Sequence, residues 1–193
     1  MATNVKRLGG LKNIYFAPIT KFGTDVNDTT FGTPVRLEGA KKIESSLTYE
    51  GVEFFSDDII DFSDYTFAGG EGTLTLKALA QSDYNLLFGN KVNKGGVAVK
   101  STDISVEGAF LFERSKLGSS HKRLYVIYAC KCSPTSISAE TKEGSITEEV
   151  VEITFSVREL ADNLVYYFMD TDAQDVDNDS VTGWYTEVRK PIV

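Results

Sequence analysis

The chain has one histidine, two cysteines, one tryptophan and no apolar run of membrane-spanning length. A spanning helix needs about 20 consecutive apolar residues, so no membrane span is expected. The N-terminus lacks the apolar stretch of a secretory signal, so the protein is expected to be made and kept in a cytoplasm unless it leaves by lysis. Cys130 and Cys132 lie one residue apart in a strand-like run. They share a face there but sit too far apart for an easy disulfide. A metal site needs more ligands than these thiols and His121 supply, so both read as packed thiols. With a single imidazole, beside Ser119, Ser120 and Lys122 in a Gly-containing tip, no base is oriented by a carboxylate against a positioned nucleophile. His121 reads as a solvated loop residue.

Other catalytic and ligand patterns also fail. The acidic stretch Asp170 to Asp179 has neither the Gly at position six nor the Glu at position twelve of a calcium loop, counted from Asp170 or from Asp175. It reads as a solvated acidic turn, with a weak cation site as the lesser alternative. Gly69 to Thr73 (GGEGT) is followed by a strand pattern and lacks the Lys and helix start of a phosphate loop. No cofactor is called for, and no enzyme is expected. A formal charge of −8 argues against a nucleic-acid reader, which shows a basic face.

What is present is sorted charge. From Glu44 to Leu76 there are eight carboxylates and no Lys or Arg; Asp170 to Glu187 adds six acids and again no base. Residues 1–43 carry seven bases against three acids. The first acidic segment also holds Val52, Phe54, Phe55, Ile59, Ile60, Phe62, Tyr65 and Phe67. It therefore reads as folded surface of one sign, with an irregular acidic loop at 57–64, rather than as a disordered tail.

Strand patterns dominate. Ile153, Phe155 and Val157 alternate with polar residues, as do Leu74, Leu76 and Ala78, giving sheets with one buried and one wetted face. Leu124 to Cys130 is apolar on both faces, so its second face must be covered by a helix, an arm or a neighbouring subunit. Further strands are expected at 11–17, 41–47, 50–56, 65–69, 97–100, 105–114, 135–140 and 164–169. Segments 105–114 and 123–132 form a long hairpin in this reading, and 159–163 turns a second one. Ser82 is placed to cap one short helix, with Tyr84, Leu87 and Phe88 as its apolar stripe and Gly89 as its end. The fold class is mainly β, an antiparallel sandwich or barrel with one short flanking helix. The expected organisation is an N-terminal arm (1–10), a β domain (11–170) and a C-terminal arm (171–193).

Several runs, in this order and spacing, carry a resemblance. They are Gly10 to Pro18 (GLKNIYFAP), Pro34 to Glu44 (PVRLEGAKKIE), Gly70 to Leu76 (GEGTLTL), Ser82 to Gly89 (SDYNLLFG), Gly108 to Phe112 (GAFLF), and Tyr128 to Cys132 (YACKC) with Pro134 nearby. Across roughly residues 10–170 the chain resembles the major tail tube protein of long, flexible-tailed phages that infect Gram-positive bacteria. The resemblance implies a virion structural protein, assembled in the host cytoplasm into hexameric rings that stack as a tail tube. Such a tube surrounds a tape-measure protein, is closed by a tail terminator, and conducts DNA into the host. Subunit sheets would join around a lumen, and a long loop or arm would reach the next ring.

Physical arguments give these expectations residues. Head-to-tail rings use two different patches per subunit, and joined sheets protect edge strands. Asp57, Asp58, Ile59, Ile60, Asp61, Phe62 and Asp64 are the candidate contacts between subunits or rings, the acidic loop meeting a more basic surface. A duct for DNA should hold few phosphate-binding cations. Thr73, Thr75, Glu148, Glu152, Thr154 and Ser156 are the candidate lumen lining, and Lys77 and Arg158 on the same alternations either spoil an acidic wall or pair with a neighbour's carboxylates. The alternatives are a tail terminator or other virion structural protein, and a glycan-binding adhesin module. The latter is weakened by the single Trp, since such modules display aromatic platforms.

Overall fold

A computed structural model describes residues 6–56, 59–134, 136, 137, 139 and 149–191. The described elements are β1 (Leu8–Lys21), β2 (Thr30–Phe31), β3 (Val35–Arg36), β4 (Ala40–Ser56), β5 (Ile59–Leu76), α1 (Gln81–Phe88), β6 (Lys91–Asn93), β7 (Gly96–Ala98), β8 (Glu107–Lys116), β9 (Lys122–Cys132), β10 (Val151–Val157), β11 (Tyr166–Asp170) and α2 (Asn178–Thr182). The main sheet runs β2-β1-β8-β9-β10-β5-β4, with β3 added on β1 and β11 on β9. Every pairing is antiparallel. The architecture is therefore mainly β and antiparallel, with sandwich-like packing, as the alternating patterns indicate; α1 is the expected short flanking helix, and the five-residue α2 was not expected. Of the expected strand at 135–140, residues 136, 137 and 139 are described and belong to no strand, and 135, 138 and 140 lie outside the described residues.

Strands β8 and β9 lie at the centre because both their faces are apolar. One face contributes Phe110 and Phe112 to a core with Ile14, Phe16, Leu74, Ile153 and Phe155. Leu87 and Phe88 of α1 close that core. Cys130 and Cys132 sit in it, both free, and burial pushes the Cys132 thiol up to about 12. The opposite face presents Leu111, Leu124, Val126 and Tyr128, and Trp184 lies on them fully buried. The cover that the two-sided apolar strand demands is thus the chain's own C-terminal segment.

Over residues 171–191 this corrects the expectation of a C-terminal arm at 171–193; 192 and 193 lie outside the described residues. Tyr185 stacks on Tyr15 with ring centroids 4.5 Å apart, and the Tyr128 hydroxyl donates to the Arg189 carbonyl. Buried Glu113 ties the segment down. It accepts from Asn13 Nδ2 at 2.9 Å, Lys122 Nζ at 2.6 Å and the Tyr185 hydroxyl at 2.9 Å. The acids dominate a residue count, but Val181, Trp184, Tyr185 and Val188 face the sheet. The N-terminal arm is also shorter than expected, since β1 begins at Leu8 and not after residue 10.

The predicted second hairpin is not one. β10 pairs β9 at Cys130–Cys132, and β11 pairs the same strand at Arg123–Ile127. The two therefore follow one another along one edge of β9. Arg158 N donates to the Ala129 carbonyl and Tyr128 N to the Val165 carbonyl, and the residues between loop out, closed by Leu160 N on the Leu164 carbonyl at 2.8 Å. Leu160 is buried in the second core, so the excursion fills space instead of reversing the sheet. The helix start also differs. Ala80, not Ser82, is the cap position, and the Asp83 carboxylate accepts from Ala80 N at 2.8 Å; Gly89 ends the helix at φ 68° as expected.

The acidic run after Asp170 begins in an ion network. Arg123 grips Asp170 with two bonds of 2.7 Å. Lys116 lies 3.0 Å from Asp170 and also contacts Asp172. The Arg123 bonds, and then those from Lys116, hold the Asp170 carboxyl below the usual carboxylate range. A depressed folded pKa contributes stability above the unfolded value near 3.9, and that stability is lost as pH falls through the folded value. Asp170→Asn is therefore expected to cost about 1–2 kcal/mol at neutral pH, allowing for solvent screening. It should also flatten the loss of stability below about pH 4, which urea titrations across pH 3–7 would measure. An unchanged pH profile would remove Asp170 from the account.

Candidate assembly surfaces

Two surfaces stand out. The first is a polar wall on the outer side of β10, β5 and β4. Inward Ile153, Phe155 and Val157 lie opposite Leu74, Gly72 and Gly70, which turns their neighbours outward in register. Glu152 faces Thr75, Thr154 faces Thr73, and Ser156 faces Glu71. On the other flank of β5, Glu44 faces Thr73 and Ser46 faces Glu71. Five expected lining residues, Thr73, Thr75, Glu152, Thr154 and Ser156, therefore share one face, while Glu148 lies outside the described residues. Thr75 is buried between Lys42 and Glu152; the others are at least partly exposed. Glu44, Ser46, Glu71, Thr73, Thr154 and Ser156 help line an open concavity of about 860 Å³.

The wall is mixed in sign. Lys42 reaches Glu44 at 2.8 Å, and Lys131 stands opposite Ser156. Arg158 forks onto its own Glu107 and lies 4.0 Å from the Phe22 ring centroid. Arg158 thus has a partner within its own chain.

The second surface is the β4–β5 ribbon, which corrects the expected acidic loop at 57–64. The strands pair continuously from Ala40↔Leu76 to Ser56↔Ile59, so Ile59, Ile60, Asp61, Phe62 and Asp64 are strand residues; Asp57 and Asp58 lie outside the described residues. The β-branched and aromatic content overrides the loop signal of Asp61 and Asp64, which lie on a ribbon exposed on both faces. Irregularities in register between Thr48 and Tyr49 and between Phe54 and Phe55 interrupt the pairing, and Gly69 at the first adopts φ 116°.

Beyond the end of β10 pairing at Gly70, the ribbon holds itself together only by cross-strand contacts among the described elements. One face carries Glu50, Val52 and Phe54 opposite Thr66, Asp64 and Phe62, with the Phe54 and Phe62 rings 5.9 Å apart. The other carries Tyr49, Glu53 and Tyr65. Exposure reaches 71% at Ile59 and 68% at Tyr65. Strand β4 ends the sheet order, so its outer backbone edge has no partner strand among the described residues.

Sequence reasoning missed a third feature. Between Tyr84 and Thr102 the chain has three lysines and no acid, the same kind of charge sorting as in β4–β5. The β6–β7 hairpin displays Lys91 and Lys94, followed by Lys100, with Val92, Val99 and Ile104 exposed beside them. Gln81 Nε2 donates to the Gly95 carbonyl at 2.7 Å, which ties its turn to α1. Asp103 accepts from Asn90 Nδ2 and from Lys100 N, each at 2.8 Å, which holds the Lys100 loop.

Among the described residues no group of three or more His, Cys, Asp or Glu side chains is placed to hold a metal ion. Asp170 and Asp172 engage Lys116, and Asp177 caps α2 by accepting from Asp179 N and Ser180 N. His121 Nδ1 lies 3.5 Å from Thr171 Oγ1. No helix among the described residues is long and apolar enough to cross a membrane. No family model matches the chain, and no curated protein matches it either.

Proposed function

We propose that the chain is a structural virion subunit that polymerises into stacked hexameric rings, forming a phage tail tube through which DNA passes. The observation that carries this reading is the β4–β5 ribbon. It projects large apolar side chains into water along a 17-residue edge strand, a combination that invites strand pairing and burial by another chain. In a ring, the open edge of β4 is covered by a neighbour's sheet, and the apolar ribbon is buried against another copy. The resemblance to tail tube proteins supplies the ring and the stack; the polar wall supplies a lining suited to DNA. Glu44, Glu71 and Glu152 offset Lys42 and Lys131 there, so a duplex meets little net positive charge and releases few counterions. A tape-measure protein inside the tube and a terminator at its end are the partners that this function requires.

Negative-stain microscopy of concentrated purified protein is expected to show hollow tubes of uniform width. Assembly should weaken as salt rises from about 0.1 M to 1 M, where the screening length falls from about 10 Å to about 3 Å. Single rings that never lengthen would favour a terminator. A chain monomeric at every concentration would end the proposal.

A further inference from the structure

The ribbon and the β6–β7 module are opposite in charge and alike in apolar content. We propose that they are the two halves of one contact: the Glu50, Val52, Phe54, Phe62 and Asp64 face of one copy docks on the Lys91, Lys94, Lys100, Val99 and Ile104 surface of a second copy. This rests on the reading of the chain as a polymerising subunit and names the surfaces that join.

Three observations carry it. First, the chemistry matches. Val52, Phe54 and Phe62 are flanked by Glu50 and Asp64 on one face of the ribbon. Val99 lies in the stretch from Tyr84 to Thr102, which holds three lysines and no acid; Ile104, 75% exposed, follows Asp103, the one acid beside this surface, whose carboxylate is engaged by Asn90 and the Lys100 amide. Docking buries apolar surface at the centre and leaves charge pairs at the rim, where they steer and register the encounter.

Second, the two surfaces lie at opposite ends of β5. That strand has 18 residues, about 60 Å at roughly 3.3 Å per residue. The ribbon's tip is at its start. The β6–β7 turn sits beside Gln81, five residues past its end (81 − 76). Neither surface therefore satisfies the other within one molecule. Two different patches at opposite ends give a head-to-tail contact that propagates from copy to copy.

Third, the basic half is pre-ordered. Lys94 and Gly95 form a tight turn with φ of 49° and 78°. The bond from Gln81 and those to Asp103 fix the flanking chain. Little ordering entropy remains to be lost on this side when the contact forms.

The test is a charge swap in the full chain. K91E/K94E/K100E and, separately, E50K/D64K are each expected to raise the concentration at which tubes form by about tenfold or more in 0.1 M salt. Combining both sets in one chain should bring that concentration back towards the wild-type value. Thermal melts and Trp184 emission, unchanged in all variants, show that the fold is intact. Ile104→Asp probes the same surface without touching a lysine, and it too should suppress assembly. If wild-type tubes form and the reversed variants polymerise equally well, or if the combined chain is no better than either set alone, this contact is overturned while the tube reading stands. A wild-type chain that never polymerises overturns both.

Discussion

Trp184→Ala is expected to remove about 3–5 kcal/mol of folding stability. Trp184 is fully buried and packs with Tyr167, ring centroids 6.0 Å apart, on the face of β8 and β9 formed by Leu111, Leu124 and Val126. Its indole Nε1 has no hydrogen-bond partner among the described residues, so the expected loss is one of packing and of apolar burial, with the cavity left behind. A typical stability of 5–15 kcal/mol makes such a loss decisive. Urea titration followed by circular dichroism measures it. Because Trp184 is the only tryptophan, wild-type emission should be blue-shifted when folded and move red at the same urea midpoint. Trp184→Phe keeps an aromatic in the site and should lose much less. A Trp184→Ala variant as stable as wild type would return residues 171–191 to the status of a detached arm.

That segment also shows where sequence and structure part. Periodicity placed α1, the β8–β9 hairpin and the inward faces of β5 and β10, because each element buries one regular face and wets the other. It also flagged the second apolar face of Leu124 to Cys130 as needing a cover. It did not say which part of the chain supplies it. Trp184 and Tyr185 sit in a segment whose acids outnumber its bases, and whose apolar residues follow no single period. The expected turn at 159–163 failed for a related reason. Asp162 and Asn163 do adopt left-handed backbone, with φ of 60° and 58°, so a tight loop is there. The chain nevertheless resumes along the same edge of β9, and only the pairing partner distinguishes that from a hairpin.

For the candidate surfaces, alternation was enough to put Thr73, Thr154 and Ser156 on one wall, since a strand's period of two leaves no freedom once Ile153 and Phe155 point inward. The ribbon was harder. Asp61 and Asp64 suggested irregular chain, yet a two-stranded ribbon wetted on both faces tolerates charge at any position. The lysines at 91, 94 and 100 carried a readable signal, a stretch without acids, but their relation to the ribbon depends on the Gln81–Gly95 bond and the length of β5.

Gly72→Ala is the second large effect, at about 3 kcal/mol, the upper part of the usual range for overpacking. Gly72 lies opposite Phe155 in the β5–β10 pairing. A Cβ there would sit 2.2 Å from Phe155 Cζ and 2.5 Å from the Glu44 carbonyl oxygen of β4. The ring has little room to retreat, being buried and packed on Phe110 at 5.0 Å between centroids. The carbonyl belongs to a strand paired along its whole length, so relief on that side means prying β4 from β5. The two clashes separate by a double-mutant cycle. Phe155→Leu alone loses core packing, but in the Gly72→Ala background it should also relieve the ring contact, so the double variant should be less destabilised than the sum by about 1 kcal/mol or more. Additive losses would mean that the ring does not occupy the space above Gly72. The strain against β4 should persist in the double variant, and it acts at the root of the ribbon. On the proposed polymerisation, assembly by that variant should therefore remain weaker than its recovered stability alone would give, a difference read by comparing the onset of polymerisation with the urea midpoint across the four proteins.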